Sequence, residues 1–104
     1  MDRHYVYVWE FAVLPEHNEV FHRAYGPNGS WAERFRRSDG YVGTLLLQDQ
    51  LRPGRYLTID RWSSATAHDA FAAQFREDYA RLDRECEAFT ESEMSLGSYW
   101  EVTD

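Results

Sequence analysis

The feature that most constrains the fold is an alternating stretch near the start of the chain, residues 4–13, HYVYVWEFAV. Its β-branched and aromatic residues alternate with a period of two, which is typical of a β-strand. One face would carry Tyr5, Tyr7, Trp9, Phe11 and Val13, and the other Val6, Val8 and Ala12 with Glu10 among them. Because both faces are mainly apolar, the strand must lie in a sheet that is covered on each side.

A helix interrupted by glycine and proline is predicted to follow this strand. Pro15 suits the first turn of a helix, and apolar residues then recur at helical spacing as far as Tyr25. The stretch YGPNGSW, residues 25–31, breaks the pattern. Ser30, with Glu33 three residues later, predicts a new N-cap that forms a capping box.

The rest of the chain predicts three more strands and a second helical segment. Residues 41–49 and 55–62 are strand candidates joined by a Pro-Gly turn, which indicates a hairpin. From Thr66 onwards, apolar residues at steps of three and four predict a long helix, bent near Tyr79. The polar stretch TESEMS then leads to a short final strand at 96–102.

This element order predicts an α+β fold of the ferredoxin-like split β-α-β-β-α-β type. Residues 1–104 would form a single domain, in which a four-stranded antiparallel sheet carries helices on one face. The opposite face would remain bare. Covering an area of roughly 700–800 Å² would contribute about 15–20 kcal/mol before the costs of association are subtracted. We therefore expect a homodimer in which the two sheets face each other.

Charge and cysteine content exclude several classes of partner. The formal net charge of −7 argues against nucleic acid and anionic membranes as partners. Cys86 is the only cysteine and shares the apolar stripe of its helix, so we expect a buried side chain and no internal disulfide. His17 and His22 are five residues apart and do not share a helical face, so no metal site is predicted. The start of the chain does not resemble a signal peptide, and a soluble cytoplasmic protein is expected.

Three stretches resemble the antibiotic biosynthesis monooxygenase family: VWEFAVLPEH, GYVGTLLLQD and RYLTIDRWSSATAHDAF. The resemblance extends over essentially the whole chain and implies a dimeric α+β barrel with a pocket between the sheet and the helices. The family includes cofactor-independent quinol oxygenases and haem-degrading enzymes, so the resemblance is a better guide to fold than to activity.

The resemblance also implies which positions line the pocket. Relatives that do chemistry have a polar residue on the first strand, a tryptophan at the end of the third strand and often a histidine on the next helix. Trp62 matches that tryptophan, whereas Trp9 is nearest to the first-strand position. Residues 70–75 contain no histidine, and His68 is one turn too early. Haem degradation is therefore not favoured, and no cofactor is expected.

Candidate site residues come from the aromatic stretches and their polar neighbours. His22 as a base and Trp62 as a stacking residue are the catalytic candidates, and Tyr7, Trp9, Tyr25, Asn28, Trp31 and Phe71 are the substrate-binding candidates. The alternative reading makes these rings core residues, the helix break a kink and His22 a surface side chain. Asp60 and Arg61 should point to opposite faces, and a buried ion pair with Arg34 or another strand residue would explain an inward charge without catalysis.

Two hypotheses of function follow. The first is a cofactor-independent monooxygenase that acts on a small polycyclic phenol or quinol, as the family resemblance implies. The alternative is a non-catalytic homodimer that binds a small aromatic ligand or serves only in assembly, because the sequence contains no clear acid-base pair.

Overall fold

The structure, a computed structural model, describes residues 4–102. Its helices and strands are β1 Tyr5–Ala12, α1 Asn18–Tyr25, α2 Ser30–Phe35, β2 Tyr41–Gln48, β3 Arg55–Trp62, α3 Ala65–Gln74, α4 Arg76–Glu87 and β4 Ser92–Trp100. The four strands form one antiparallel sheet in the order β2-β3-β1-β4. This topology confirms the predicted α+β split β-α-β-β-α-β fold. Between residues 4 and 102, every helix is too short or too polar to cross a membrane.

The strand register assigns the side chains to two faces of the sheet. Residues directly opposite one another in paired strands share a face. Tyr5 lies opposite Trp62, and Phe11 lies opposite Tyr56, so these side chains lie on the face that the helices cover. The buried core on that face consists of Phe11, Val13, Phe21, Ala24, Tyr25, Trp31, Phe35, Tyr56, Trp62, Phe71, Leu82 and Cys86. The expected burial of Cys86 is confirmed.

The other face of the sheet, called here the outer face, is also apolar. It carries Val6, Val8, Leu45, Leu47, Leu57, Ile59, Met94 and Tyr99, which the register places on the same side. Leu45 is 50% exposed and Met94 is 58% exposed. The prediction that both faces of the sheet are largely apolar is therefore confirmed.

The break between α1 and α2 depends on two glycines that approach the end of α1. A Cβ atom at Gly29 would lie 2.6 Å from the carbonyl oxygen of Arg23, and one at Gly26 would lie 2.7 Å from that of His22. The capping prediction was wrong: Gly29 is the N-cap of α2, Ser30 is its first residue, and no side chain caps this helix. The cap position is within contact distance of the α1 backbone, which leaves no room for a serine side chain.

Two further boundaries differ from the sequence prediction. The long helix is interrupted at Phe75, whose φ of −111° and ψ of 31° are not helical, rather than bent near Tyr79. Phe71 on α3 and Leu82 on α4, on either side of this interruption, are buried in the same core. Strand β4 begins at Ser92 rather than at residue 96, because the backbone of Ser92–Ser95 pairs with the free edge of β1 while most of its polar side chains stay exposed.

Candidate active site

Two adjoining cavities lie between the sheet and the helices. Cavity A has a volume of about 60 Å³ and is lined by Trp9, Phe11, Tyr25, Trp31, Phe35, Thr58, Asp60, Tyr79, Asp83 and Glu93. Cavity B has a volume of about 80 Å³ and is lined by Tyr7, Trp9, Phe35, Asp60, Trp62, His68, Ala72 and Tyr79. Four residues line both cavities, so the two spaces are separated only by side chains.

Asp60 is the carboxylate that the two cavities share. It points to the helix-covered face from the second half of β3, and Thr44 on β2 donates a 2.7 Å hydrogen bond to its Oδ1 atom. The hydroxyl groups of Tyr41 and Thr44 are 2.5 Å apart. Because Thr44 has a single hydroxyl proton and gives it to Asp60, Tyr41 must be the donor to Thr44. A chain of hydroxyl groups therefore ends at the carboxylate.

The carboxyl group of Asp60 is poised to exchange a proton near neutral pH. Burial raises its pKa to about 6, and the hydrogen bond from Thr44 partly opposes that rise. The predicted ion pair with Arg34 is not formed, because Arg34 binds Asp78 on α4 at 3.1 Å. Among residues 4–102, no cationic side chain pairs with Asp60.

His68 lies on the wall of cavity B. Its ring centroid is 4.5 Å from that of Tyr7 and 5.3 Å from that of Trp62. Its Nδ1 atom is 3.1 Å from the Oδ1 atom of Asp69. A proton on Nδ1 that is donated to Asp69 leaves Nε2 as an acceptor. His68 reaches the cavity because α3 passes over the end of the sheet where Tyr7 and Trp62 lie.

The tyrosines of the cavities are hydrogen-bond donors rather than bases. Burial, with smaller contributions from nearby carboxylates, raises the pKa of Tyr79 to about 12. Burial also raises the pKa of Tyr25, next to Cys86, far above its usual range. Both phenols therefore keep their protons at neutral pH.

Two buried indole groups belong to residues that line the cavities. The Nε1 atom of Trp62 is buried and unpaired within the described part of the chain. The indole N–H of Trp31 lies next to the hydroxyl of Tyr25 and the thiol of Cys86. Trp31 is 7% exposed and lines cavity A, whereas Trp62 is 1% exposed and lines cavity B. A buried donor without an acceptor is costly and calls for an explanation. The indole N–H of Trp62 is thus an unpaired donor on a residue that lines cavity B.

The structure brings together five of the predicted site residues and leaves out three. Tyr7, Trp9, Tyr25, Trp31 and Trp62 line the cavities.

The three that do not line either cavity are His22, Asn28 and Phe71. His22 is exposed, and its Nε2 atom is 2.8 Å from the hydroxyl of Tyr56. Asn28 is exposed and accepts a hydrogen bond from Arg36. Phe71 is buried behind the cavity wall, with its ring 5.5 Å from that of Trp62. Each of the three side chains therefore makes a contact with the protein itself, outside the cavities.

Sequence reasoning did not select Asp60, His68 or Tyr79. The alternation of β3 did indicate that Asp60 faces the helices, because it is an even number of residues from the inward-facing Tyr56 and Trp62. The position of Tyr79 could not be derived, since it depends on the helix interruption at Phe75. Within residues 4–102, no group of three His, Cys, Asp or Glu side chains is arranged to hold a metal ion.

Solved structures share this fold over nearly the whole chain. A provisionally assigned antibiotic biosynthesis monooxygenase from Nitrosomonas europaea superposes with a TM-score of 0.73 at 16% identity, covering 98% of this chain and 93% of that one. SnoaB, a cofactor-independent oxygenase from Streptomyces nogalater, gives a TM-score of 0.72 at 21% identity, covering 98% and 96%.

A third structure, from Deinococcus radiodurans and also provisionally assigned as an antibiotic biosynthesis monooxygenase, gives a TM-score of 0.74 at 16% identity, covering 96% and 93%. The chain therefore has the ferredoxin-like fold of these monooxygenases. No family model matches the sequence. No curated protein matches it either.

Proposed function

We propose that the chain is a cofactor-independent monooxygenase that oxidises a small polycyclic phenol or quinol. The observation that carries this proposal is the placement of Asp60, without a cationic partner, in the wall of two ring-lined cavities. A carboxylate in such a setting is a competent base at neutral pH. The cofactor-independent oxygenase SnoaB, which has the same fold, supports the reaction class.

The reaction can be written with the substrate as the only reductant. Asp60 takes a proton from the carbon next to the phenolic ring, and the resulting anion passes one electron to dioxygen. The radical pair then recombines to a peroxide, which takes the proton back from Asp60. Loss of the second C–H proton with cleavage of the O–O bond gives a carbonyl group and one water. In total, a CH₂ group and O₂ become C=O and H₂O.

The other side chains of cavity B have supporting roles in this scheme. The unpaired indole N–H of Trp62 would donate to the oxygen on which negative charge develops. His68, held by Asp69, would exchange protons between the cavity and the solvent. The ring-lined walls keep water away from the anion.

A polycyclic substrate needs more room than either cavity has in this structure. The volumes are about 60 and 80 Å³, below the several hundred Å³ that is usual for sites of small organic ligands. Trp9 and Tyr79 line both cavities, so a rotation of either ring would join them. We expect substrate binding to shift Tyr79, because α4, which carries it, is not continuous with α3.

A homodimer is part of the same proposal. The outer face exposes Leu45, Leu47, Met94 and Tyr99 together, and a patch of this kind on a sheet is a common site of association. A second copy offers an identical apolar face, and the two would bury each other by two-fold symmetry. Oxygenase chemistry would then occur once in each protomer, on the helix-covered side of each sheet.

The alternative is a non-catalytic homodimer that binds a small aromatic ligand or serves in assembly. The small volumes of the two cavities favour this reading, because the protein's own rings fill most of the space between sheet and helices. The two hypotheses differ in whether oxygen is consumed, and the same set of compounds tests both.

Oxygen uptake in the presence of hydroquinones and anthrones is the direct test. We expect consumption of one O₂ per anthrone by the wild type, and a loss of at least about a hundredfold in kcat for Asp60→Asn. Trp62→Phe should lose about ten- to a hundredfold. His22→Gln, which changes an exposed residue outside the cavities, is the matched control and should retain full activity. Binding of the same compounds without oxygen uptake would instead establish the non-catalytic alternative.

A further inference from the structure

A bulge in β2 brings the hydroxyl groups of Tyr41 and Thr44 to the same face of the sheet. Residues three apart in a regular strand point to opposite faces. Here β2 contains one extra residue, Val42, where its register with β3 shifts. Tyr41 consequently lies opposite Trp62, and Thr44 lies opposite Asp60, so both hydroxyl side chains are on the helix-covered face. Bulges of this kind are frequent beside functional sites, where they change the direction of a side chain.

The ring of Tyr41 is held in place by two aromatic neighbours. Its centroid is 5.5 Å from that of Phe35 and 5.4 Å from that of Trp62. Burial raises the pKa of the Tyr41 phenol, and the hydrogen bond with Thr44 only partly opposes that rise. The phenol therefore keeps its proton at neutral pH and remains a hydrogen-bond donor in a fixed position.

The hydrogen bond from Tyr41 determines the direction in which the Thr44 hydroxyl group donates. The oxygen of Thr44 accepts from the phenol, 2.5 Å away, and its single proton is then directed to the Oδ1 atom of Asp60, 2.7 Å away. Consecutive hydrogen bonds of this kind strengthen one another. Without Tyr41, the Thr44 hydroxyl group could rotate about its Cβ–Oγ1 bond, and its hydrogen bond to Asp60 would be weaker.

We infer that Tyr41 is a positioning residue for the carboxylate of Asp60 and that it acts through Thr44. The two hydroxyl groups keep Oδ1 engaged, and no side chain among residues 4–102 donates to Oδ2. Oδ2 is then the oxygen that takes the substrate proton. This catalytic role rests on the proposed oxygenase reaction, whereas the coupling of Tyr41 to Asp60 does not, because it is measured without a substrate.

Other titratable side chains line the two cavities together with Asp60. They come from five other helices and strands: Tyr7 on β1, Tyr25 on α1, His68 on α3, Tyr79 and Asp83 on α4, and Glu93 on β4. All of these groups are retained in the variants compared below. Their influence on Asp60 is therefore common to every variant and cancels in the comparison.

A double-mutant cycle on Tyr41 and Thr44 tests the coupling. The titration of Asp60 is followed by the NMR signal of its carboxyl carbon, which is identified by its loss in Asp60→Asn. Thr44→Val should raise the titration midpoint by about one pH unit, and Tyr41→Phe should lower the acid dissociation constant by about two- to threefold. When both substitutions are combined, the midpoint should equal that of Thr44→Val alone, because Tyr41 acts only through Thr44.

Tyr56→Phe is the matched control. It also removes a tyrosine hydroxyl group from the helix-covered face of the sheet, but this group bonds to His22 and Asn18, so the midpoint of Asp60 should stay in place. A midpoint that Tyr41→Phe leaves unchanged or lowers, or shifts that add up in the double variant, would overturn the inference. The titration requires neither oxygen nor a substrate. A lack of oxygen uptake would therefore refute the proposed reaction and leave this result untouched.

Discussion

The hydroxyl of Thr44 on β2 donates a 2.7 Å hydrogen bond to the carboxylate of Asp60 on β3. This bond joins the two strands on the helix-covered face and is the only side-chain hydrogen bond that Asp60 makes within the described residues. Its energy depends on the charge of Asp60, since a hydroxyl group binds an ionised carboxylate more strongly than a neutral one. The pair therefore couples the protonation of the candidate base to the packing of the sheet.

Replacing Asp60 with asparagine should change how stability depends on pH. The pKa of Asp60 is about 6 in the folded chain, compared with 3.8 for an unperturbed aspartate. Between these values the native state holds a proton that the unfolded state has lost, so the stability contributed by Asp60 falls as pH rises. The loss is complete above about pH 6 and amounts to about 3 kcal/mol.

Urea denaturation of both proteins at several pH values between 4 and 8 measures this effect. Asp60→Asn should match the wild type near pH 4 and exceed its unfolding free energy above pH 6. Asparagine can still accept the bond from Thr44, so the comparison isolates the charge. Parallel curves for the two proteins would show that Asp60 is not perturbed.

Thr44→Val should move the acidic limb of the activity profile. The hydroxyl group of Thr44 stabilises the ionised form of Asp60 and so holds its pKa down. Removing it should shift the rise of kcat/KM about one pH unit upwards, whereas Thr44→Ser, which keeps the hydroxyl group, should leave the profile in place. The measurement is kcat/KM for the best anthrone or hydroquinone between pH 4.5 and 8. A uniform loss of rate without a shift would assign Thr44 a purely structural role.

Gly29→Ala should destabilise the chain by about 2–4 kcal/mol, because the new methyl group would collide with two carbonyl oxygens of α1. Those oxygens belong to the backbone and cannot move aside without unwinding the helix end. Gly43→Ala is the control, since nothing lies within 4 Å of the Cβ position there. We expect that variant to stay within about 0.5 kcal/mol of the wild type in thermal and urea unfolding. Similar values for the two variants would mean that the helix break tolerates a side chain.

Leu45→Glu should keep the protein monomeric. This substitution places a charge on the outer face, on the edge strand β2, where a second copy would bury it without a partner. Leu51→Glu changes a leucine that is 87% exposed in a turn and should leave the dimer intact. Sedimentation velocity at micromolar concentration distinguishes the two states. A wild-type chain that sediments as a monomer would remove the homodimer from the proposed function.

Much of the fold could be predicted from short-range patterns, whereas the site could be predicted only in part. The alternation of β1 indicated that both faces of the sheet are apolar, and the parity of β3 was sufficient to place Trp62 inward. The boundaries that failed depend on contacts distant in sequence. Gly29 is a cap because its backbone touches the end of α1, and β4 begins early because β1 has a free edge.

The site residues that the sequence did not predict were missed for the same reason, because their positions depend on contacts distant in sequence. His68 and Tyr79 reach the cavities because α3 and α4 are separate helices, and Phe75, which continues the apolar spacing of a helix, gave no warning of the interruption. Asn28 and His22 were selected by their neighbours in sequence, yet each is on the solvent side of its helix or loop. The local sequence pattern identifies which side of a helix or strand is apolar, but the convergence of side chains from seven elements at the two cavities depends on the tertiary arrangement.

The interruption at Phe75 is the position at which a change in chain length would alter the orientation of α4. The helices that carry His68 and Tyr79 meet at one residue with φ of −111° and ψ of 31°. Inserting or deleting one amino acid there would turn α4 by about 100° around its axis and replace Tyr79 at the cleft by a neighbour. Insertions or deletions at Phe75 are therefore a simple way in which this fold could accommodate ligands of different width while its sheet stays the same.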